Sequence, residues 1–486
     1  MKLSKLLESV YDVKYSPFGD VEVTGVFDDS RECEAGSVFV AICGHRQDGH
    51  IYAMDAYNRG ARVFVLSRKI DLPKDSIVIC SENTRKTLAE MCASINGHPE
   101  KKLVCVGITG TKGKTTAMVF LSNILRGFGV KNIAVGTIGI SEGGFDNEQK
   151  TSNTTPPPPV LFSALAKAYE NGCRVACIEV SSQSLKDFRV YGIPFKFAAF
   201  TGLSCDHIGE AEHPDMDDYV RSKRLLFQTS SLKSAVVNSD DDYFLYMSSA
   251  VGRVIKCGFL NSADFRITDF SDGCDGSEFY VNGIKVKSVL PGAYNAVNIT
   301  VALALAAEIT KNNLSLAVGF VDGIKVKGRF ERFCINDKNV IVDYAHNGNS
   351  FKEIISLSRR LFSGRVICVF GSVGRRCYGR RRELAEAAEA YADFSVITSD
   401  NSANEFSLGI CADIYSYFND KTKAKIIVKR DEAITYAVNE ANVGDCVLIL
   451  GRGHEDEIEI CGKRIAFSDV EFVRNLKTEA ESLIIG

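Results

Sequence analysis

The run Gly107-Ile108-Thr109-Gly110-Thr111-Lys112-Gly113-Lys114-Thr115-Thr116 holds the residue types that grip a polyphosphate. It follows an apolar stretch at residues 103–108 and precedes an apolar-periodic one at 118–125, so it reads as strand, loop and helix. Glycines let successive N–H groups curl around phosphate oxygens, and the helix N-terminus adds positive potential. Lys114 can then reach the β- and γ-phosphates, and the Thr115 hydroxyl suits Mg²⁺. Counted from Gly110, the loop is one residue shorter than the general phosphate-loop pattern. A dinucleotide fingerprint fits less well, because the glycines are spaced G-x-x-G-x-x-G and a Lys-Thr pair follows. Glu179 closes the apolar run 175–180, and a carboxylate at the C-terminal end of a parallel strand sits where α/β folds place ligands. It is a candidate Mg²⁺ ligand. His207, after Asp206, is a weaker candidate, since Mg²⁺ prefers oxygen. Lys223, in Arg221-Ser222-Lys223-Arg224, reads by itself as a solvated lysine on an amphipathic helix.

The elements that must position these residues fall into three segments. Residues 1–98 mix short apolar runs with a glycine-rich loop at 44–49 and end in the turn-rich Asn96-Gly97-His98-Pro99-Glu100, which reads as a linker. In 99–328, buried-strand runs at 103–108, 175–180, 197–200 and 235–237 alternate with helical stretches, the pattern of a mostly parallel sheet. The rhythm restarts in 329–486, with strands at 340–342, 366–370, 394–398 and 446–450 and helices at 382–392 and 431–439. An α/β fold of three domains is expected, the last Rossmann-like. The 486 residues are 45% hydrophobic and 24% charged, an ordinary globular composition, and the net charge of -3 disfavours nucleic acid as a partner. None of the 16 cysteines forms a C-x-x-C pair, against a zinc or redox site and in line with a reducing cytoplasm. The N-terminus lacks an apolar leader core, and the longest apolar stretch, near 299–309, is too short to span a bilayer.

Further blocks follow in a recognisable order. Asn153-Thr154-Thr155-Pro156, Glu179-Val180-Ser181-Ser182, Arg189, Leu203-Ser204-Cys205-Asp206-His207, Pro291-Gly292 with Asn295 and Asn298, Gly328-Arg329-Phe330-Glu331-Arg332, Asp343-Tyr344-Ala345-His346 and Gly451-Arg452-Gly453-His454-Glu455 succeed the phosphate loop. With Asp29-Ser30-Arg31 and Gly44-His45-Arg46-Gln47-Asp48-Gly49-His50 they resemble the Mur ligases, of the MurE type, over nearly the whole chain. The resemblance implies a UDP-MurNAc-binding domain at 1–98, an ATP-binding domain at 99–328 and an amino-acid-binding domain at 329–486. It implies ATP held by Gly110, Thr111, Lys112, Gly113, Lys114, Thr115 and Thr116 with Asn295, Arg329 and Asp343. The UDP-MurNAc-dipeptide would lie on Ser30, His45, Arg46, Gln47, Asn153, Thr154, Thr155, Ser181 and Arg189. The incoming amino acid would meet Arg376, Asp400, Asn401, Ser402, Ala403, Gly451 and Glu455. Mg²⁺ would bind Thr115, Glu179, His207 and Lys223, the lysine as a carbamate (N6-carboxylysine), which converts a cation into an oxygen ligand. Lys114, Lys223, Glu179 and His207 then form the catalytic set. The implied reaction is attack of a substrate carboxylate on the γ-phosphate of ATP, giving an acyl phosphate that an amine opens. A cytoplasmic monomer acting on small molecules, in peptidoglycan synthesis, is expected, with no nucleic acid and no membrane insertion.

Several positions depart from the family. Gln183 stands where His is frequent, Cys205 where Arg is common, Asp187 where Gln is typical, and Asn347-Gly348-Asn349 where Thr-Pro-Asp is usual; the segment between His207 and Tyr219 is long. The loop Asp400-Asn401-Ser402-Ala403-Asn404-Glu405 resembles the form found in lysine-adding ligases. The diaminopimelate form carries Arg at the Ala403 position, to hold a distal carboxylate. L-Lysine is therefore expected, with meso-diaminopimelate second, since Arg375 or Arg380 could replace the missing guanidinium. The competing readings are a folylpolyglutamate-synthase-like ligase on another acceptor, a silent nucleotide-binding paralogue, and a generic P-loop switch protein, which does not account for residues 1–98.

Overall fold

The computed structural model describes the chain except residues 16–18, 45–46, 145–147, 152, 205–208, 210–212, 376–377 and 486, and gives 481–485 as backbone only. It divides into two compact units. The first comprises residues 1–268, 280–285 and 297–321, and the second 269–279, 286–296 and 322–486.

Two sheets build the first unit. The N-terminal one runs Val13–Tyr15, Ile77–Ser81, Val63–Leu66, Ser37–Val40, Gly25–Phe27, parallel apart from its first strand. The other runs Gly139–Glu142, Asn132–Gly136, Val175–Glu179, Val104–Thr109, Phe197–Phe200, Ser234–Asn238, Val254–Gly258 and on into Phe265–Gly273. From Asn132–Gly136 to Phe265–Gly273 neighbouring strands pair in parallel, and Gly139–Glu142 pairs antiparallel with Asn132–Gly136. Asn132–Gly136, Val175–Glu179, Val104–Thr109 and Phe197–Phe200 are buried almost throughout, which is why they read as unbroken apolar runs rather than alternating ones. From Val104–Thr109 the chain first builds the sheet on one side, through Val175–Glu179, and then crosses to Phe197–Phe200 on the other. The phosphate loop leaves that strand at the switch point, beyond its C-terminal end, where open α/β sheets place ligands.

Residues 1–98 have their own sheet but share one hydrophobic cluster with the second: Leu6, Leu88, Met91 and Cys92 belong with Leu161, Leu165 and Ala168. The stretch expected to be a linker is a left-handed turn at His98 (φ 55°) leading into the short helix Pro99–Lys102, with Glu100 buried. Proline at the first helical position pre-sets φ and loses no bond there.

In the second unit a six-stranded sheet runs Glu331–Ile335, Lys338–Asp343, Cys446–Leu450, Val366–Phe370, Phe394–Ile397, Ala424–Ile426, parallel apart from the opening hairpin. Asp343 ends its strand, and Asp400 and Gly451 follow the C-terminal ends of theirs, so the sheet gathers them at one edge. The helix around residues 299–309 is longer than the apolar stretch suggested. Ala293–Thr310 passes the length and composition test for a membrane span, but 67% of it is buried inside the protein, as in a core helix.

A buried ion pair ties the second unit's strand ends together. Arg430 opens the helix Arg430–Glu440 and donates Nε and Nη2 to Asp469 at 2.7 Å each, with further bonds to the carbonyls of Ser399 and Leu450. Both side chains are almost fully buried, at 2% and 0% exposed. Asp469→Ala leaves this guanidinium buried without its counter-ion, and a loss of about 3–5 kcal/mol is expected in urea unfolding. A loss below ~1 kcal/mol, the range of an exposed pair, would contradict that account.

Candidate functional site

The phosphate loop is shaped by what its glycines must pass. Gly110 has φ 154° and Gly113 φ 84°. A Cβ on Gly110 would sit 2.1 Å from Thr201 Oγ1, and one on Gly113 2.2 Å from Asn298 Oδ1. Neither can be replaced without moving its neighbour. Lys114 begins the helix Lys114–Gly127 and folds back to donate to the carbonyls of Gly110 (2.8 Å) and Thr111 (3.0 Å). Thr111 N–H donates to Gly202 O, and the Lys112 carbonyl accepts from Thr201 Oγ1 at 2.5 Å. Thr115 and Thr116 are buried in the first helical turn.

Parallel pairing of Val104–Thr109 with Val175–Glu179 sets Ile108 opposite Glu179 and brings that carboxylate to the loop. Glu179 is 0% exposed. Its Oε2 accepts from Thr115 Oγ1 (3.1 Å) and Thr137 Oγ1 (3.0 Å), and its Oε1 from Thr137 N–H (2.9 Å). A buried carboxylate beside a hydroxyl is an oxygen donor set that fits Mg²⁺, and Thr115 and Glu179 are the residues that would hold it. Among the described residues no group of three or more His, Cys, Asp and Glu gathers as a metal cluster. His207 lies outside the described residues.

Lys223 is not the solvated lysine that its sequence context suggests. It is 2% exposed, its Nζ donates to Gly110 O at 2.9 Å, and it lies 4.4 Å over the Tyr219 ring. The helix Met216–Arg224 packs that face inward, and the Tyr219 hydroxyl is 3.0 Å from Thr111 Oγ1. The lysine thus lies against the phosphate loop.

The expected acceptor residues converge on the same strand end. With its one hydrogen given to Glu179, the Thr137 hydroxyl accepts from Thr154 Oγ1 (3.1 Å); Thr155 Oγ1 donates to Glu179 O (2.8 Å), and Ser181 N–H donates to Thr155 Oγ1 (3.1 Å). Arg189 Nη1 donates to Thr155 O at 3.0 Å, and burial lowers its pKa. Asn153 is exposed at the segment's start, its carbonyl accepting from Thr151 Oγ1. A cavity of about 730 Å³ runs between Asp28–Glu32, Gln47, Tyr52 and Asp55 on one side and Gln149–Thr151, Pro156, Pro157, Pro159 and Val160 on the other. Ser30 and Gln47 line it, held by Asp55 (2.7 Å) and Tyr52 (2.8 Å). His45 and Arg46 lie outside the described residues.

In the second unit, Asp343 ends its strand by accepting from the N–H groups of Phe330 (2.8 Å) and Ala345 (2.7 Å), and Arg329 stacks 4.5 Å over the Tyr344 ring. Asn295 is buried and donates to Pro291 O. Asp400, Asn401, Gly451 and Glu455 come together: Asn401 Nδ2 donates to Glu455 Oε2 (2.8 Å), and a Cβ on Gly451 would meet Asp400 Oδ2 at 2.9 Å. Burial first, and then the Asp400 charge, push the Glu455 carboxyl up to about 7. Ser402 N–H and Ala403 O pair with Glu459 and Gly462, and Ala403 takes a left-handed φ of 50°. Arg376 lies outside the described residues.

Four groups escaped the sequence reading. Thr137 supports Glu179 from a hairpin with no motif. Arg452, quoted in its block but given no role, is fully buried and donates to Asn401 Oδ1 at 3.2 Å, with Glu455 3.3 Å away. Arg381 holds the loop's last residue through Glu405 Oε2 at 2.7 Å. His213 bridges Ser182 and Asp218. Only for Arg452 did the sequence carry a signal, its position between two glycines of a strand-end turn.

Family models cover the chain in three parts: the Mur ligase family catalytic domain at residues 22–96, the Mur ligase middle domain at 108–306, and the Mur ligase glutamate ligase domain at 328–453. The chain is 35% identical to the UDP-N-acetylmuramoyl-L-alanyl-D-glutamate--2,6-diaminopimelate ligase of a Nostoc species, over 99% of this chain and 100% of that one. It is 34% identical to the protein of the same name from Bacillus licheniformis, over 98% and 99%. A solved structure of a ligase of that name aligns with TM-score 0.65 and 28% identity over 94% and 95% of the two chains. The MurF ligase of Thermotoga maritima, solved with ADP, shares the fold at TM-score 0.63 and 19% identity, over 95% and 98%. Full-length similarity to these enzymes, with the phosphate loop and its buried carboxylate in place, establishes that the chain belongs to the Mur ligase family of ATP-dependent, ADP-forming ligases and is of the MurE type.

Proposed function

We propose that the chain joins a diamino acid to UDP-N-acetylmuramoyl-L-alanyl-D-glutamate in the cytoplasm, and that the amino acid is L-lysine. The acceptor's carboxylate attacks the γ-phosphate, because a free carboxylate is too poor an electrophile for an amine; the acyl phosphate is then opened by the α-amine. Lys114 offsets charge as one anion attacks another, and the backbone N–H groups of the loop hold the phosphates. Bound Mg²⁺ would supply further charge neutralisation at Thr115 and Glu179. Lys223, carboxylated, would add an oxygen donor beside the loop. Ser30 and Gln47 in the cavity, with Thr154, Thr155, Ser181 and Arg189 toward the strand end, are assigned to the UDP-MurNAc-dipeptide.

The acidic pair Asp400 and Glu455 carries the choice of amino acid. Together with Ala403 in place of a guanidinium, it favours an ammonium on the distal side chain. A second carboxylate there would face two others, and burying it poorly paired costs several kcal/mol. The relatives named above are 2,6-diaminopimelate ligases, and meso-diaminopimelate is the second reading. Arg375, whose backbone N–H donates to Glu405 in the same loop, or Arg380 is the substitute cation that this reading would recruit.

Lys114→Ala should leave the fold intact and lower kcat by about 10²–10⁴, because the lost interaction belongs to the transition state. Near-normal kcat in phosphate release would remove the loop from catalysis. For the amino acid, kcat/KM for L-lysine and meso-diaminopimelate on one preparation decides. Lysine should lead, and a preference of about tenfold or more (~1.4 kcal/mol) for meso-diaminopimelate overturns the lysine assignment.

Glu455 gives the pH dependence its sign. With a carboxyl at about 7 it is neutral below that pH and charged above it, so an ammonium is held better as pH rises. The KM for lysine should fall between pH 6 and 8, and Glu455→Gln should raise KM and flatten the profile. A slope that survives in Glu455→Gln would assign it to another group.

A further inference from the structure

Ser182, His213 and Asp218 stand in the order of a hydroxyl, a base and an orienting carboxylate. Ser182 opens the short helix Ser182–Lys186 just beyond the strand that ends at Glu179, and Asp218 lies in the first turn of Met216–Arg224. His213 reaches both: Nδ1 is 2.7 Å from Asp218 Oδ2 and Nε2 is 2.9 Å from Ser182 Oγ. Its side chain is 1% exposed. Lys186 Nζ donates to the same Asp218 oxygen at 2.8 Å and, as the largest cause, holds that carboxyl below the usual range.

An ionised carboxylate only accepts, so Nδ1 carries the imidazole hydrogen and Nε2 presents a lone pair. The Ser182 hydroxyl is then left to donate to Nε2. Burial, the largest cause, pushes the imidazole below its ordinary value; Asp218 pulls the other way, and Lys186 and Lys223 add to the lowering. These are the charged groups that face it among the described residues. With its one hydrogen committed, Ser182 Oγ offers only lone pairs. It is mismatched to a carboxylate and matched to an N–H donor. The line also adjoins the phosphate loop, since the His213 ring lies 5.1 Å from that of Tyr219, whose hydroxyl meets Thr111.

Resting on the ligase reading above, we propose that Ser182 and His213 form the proton acceptor for the incoming amine, with Asp218 as the positioning residue behind them. The incoming ammonium gives one proton to Ser182 Oγ while the Ser182 hydroxyl proton passes to His213 Nε2. The neutral nitrogen then bonds to the carbonyl carbon of the acyl phosphate, the carbon–oxygen bond to phosphate breaks with its electron pair leaving on the phosphate, and the departing phosphate takes the nitrogen's second proton. Asp218 stabilises the imidazolium, which returns its proton to solvent after the amide leaves. No bond forms between Ser182 and carbon.

Hydroxylamine separates this role from a structural one, because it is a nucleophile already neutral at pH 7 and traps an acyl phosphate as a hydroxamate without a base. Wild type, Ser182→Ala and His213→Asn are given ATP and UDP-MurNAc-L-Ala-D-Glu with either hydroxylamine or the diamino acid. In both variants the ratio of amide to hydroxamate should fall by about 10²-fold or more relative to wild type. A ratio that stays at the wild-type value, whether both products persist or both decline, overturns the relay. So does an acyl adduct on Ser182 by mass spectrometry, which would make the serine a nucleophile. Ser182→Ala removes a single hydroxyl and keeps the test decisive if His213→Asn fails to fold. Wild type that forms no hydroxamate would instead overturn the ligase reading on which the relay rests.

Discussion

The buried carboxylate of Glu179 is the constraint around which the first unit is arranged. A carboxyl group with no exposure must be met by hydrogen-bond partners or by a cation, since burying such a polar group unpaired is costly. Thr115 and Thr137 supply donors from two separate elements, and each is placed by the sheet. The register that sets Ile108 beside Glu179 therefore fixes the distance between phosphate loop and carboxylate. The same strand end feeds the segment Thr155, Ser181 and Ser182, so acceptor-side hydroxyls inherit their positions from the one constraint.

The second unit solves a similar problem with arginines. Two of them, Arg430 and Arg452, are enclosed: the fork of Arg430 is met by Asp469 and the carbonyls of Ser399 and Leu450, and the terminal nitrogens of Arg452 by Asn401 Oδ1 and the carbonyls of Glu457 and Phe467. A planar guanidinium with five fixed donors can cross-link loops in a way that a lysine cannot. Asp400, Asn401 and Glu455 owe their mutual placement to that bracing. Arg381, buried between Glu405 and Asp413, anchors the far end of the same loop to the neighbouring helices. A loop held at both ends presents a preorganised surface to an incoming ligand.

The left-handed residues show how closely the chain is held at these edges. Ala403 has a Cβ and still takes φ 50°, in a loop whose backbone is paired to Glu459 and Gly462 on either side of it. That conformation persists because the surrounding hydrogen bonds over-determine it. Gly110 and Gly113 illustrate the other case, where contact distance and not only φ demands glycine.

The sequence by itself determined whatever depends on local order: the strand, loop and helix of residues 104–127, the buried parallel strands with their uninterrupted apolar runs, the family blocks and hence the ligase chemistry. Those features are written in residue type and spacing, which survive without knowledge of the fold. The tertiary structure alone decided which side chains face one another. Lys223 looked solvated because helical periodicity says nothing about which neighbour covers a face, and only packing against Gly110 and Tyr219 buries it. Thr137 and His213 lie 42 and 31 residues from the groups they touch, Glu179 and Ser182, with no motif to link them. Sheet register and helix packing make such contacts, and these are long-range choices that no local pattern encodes.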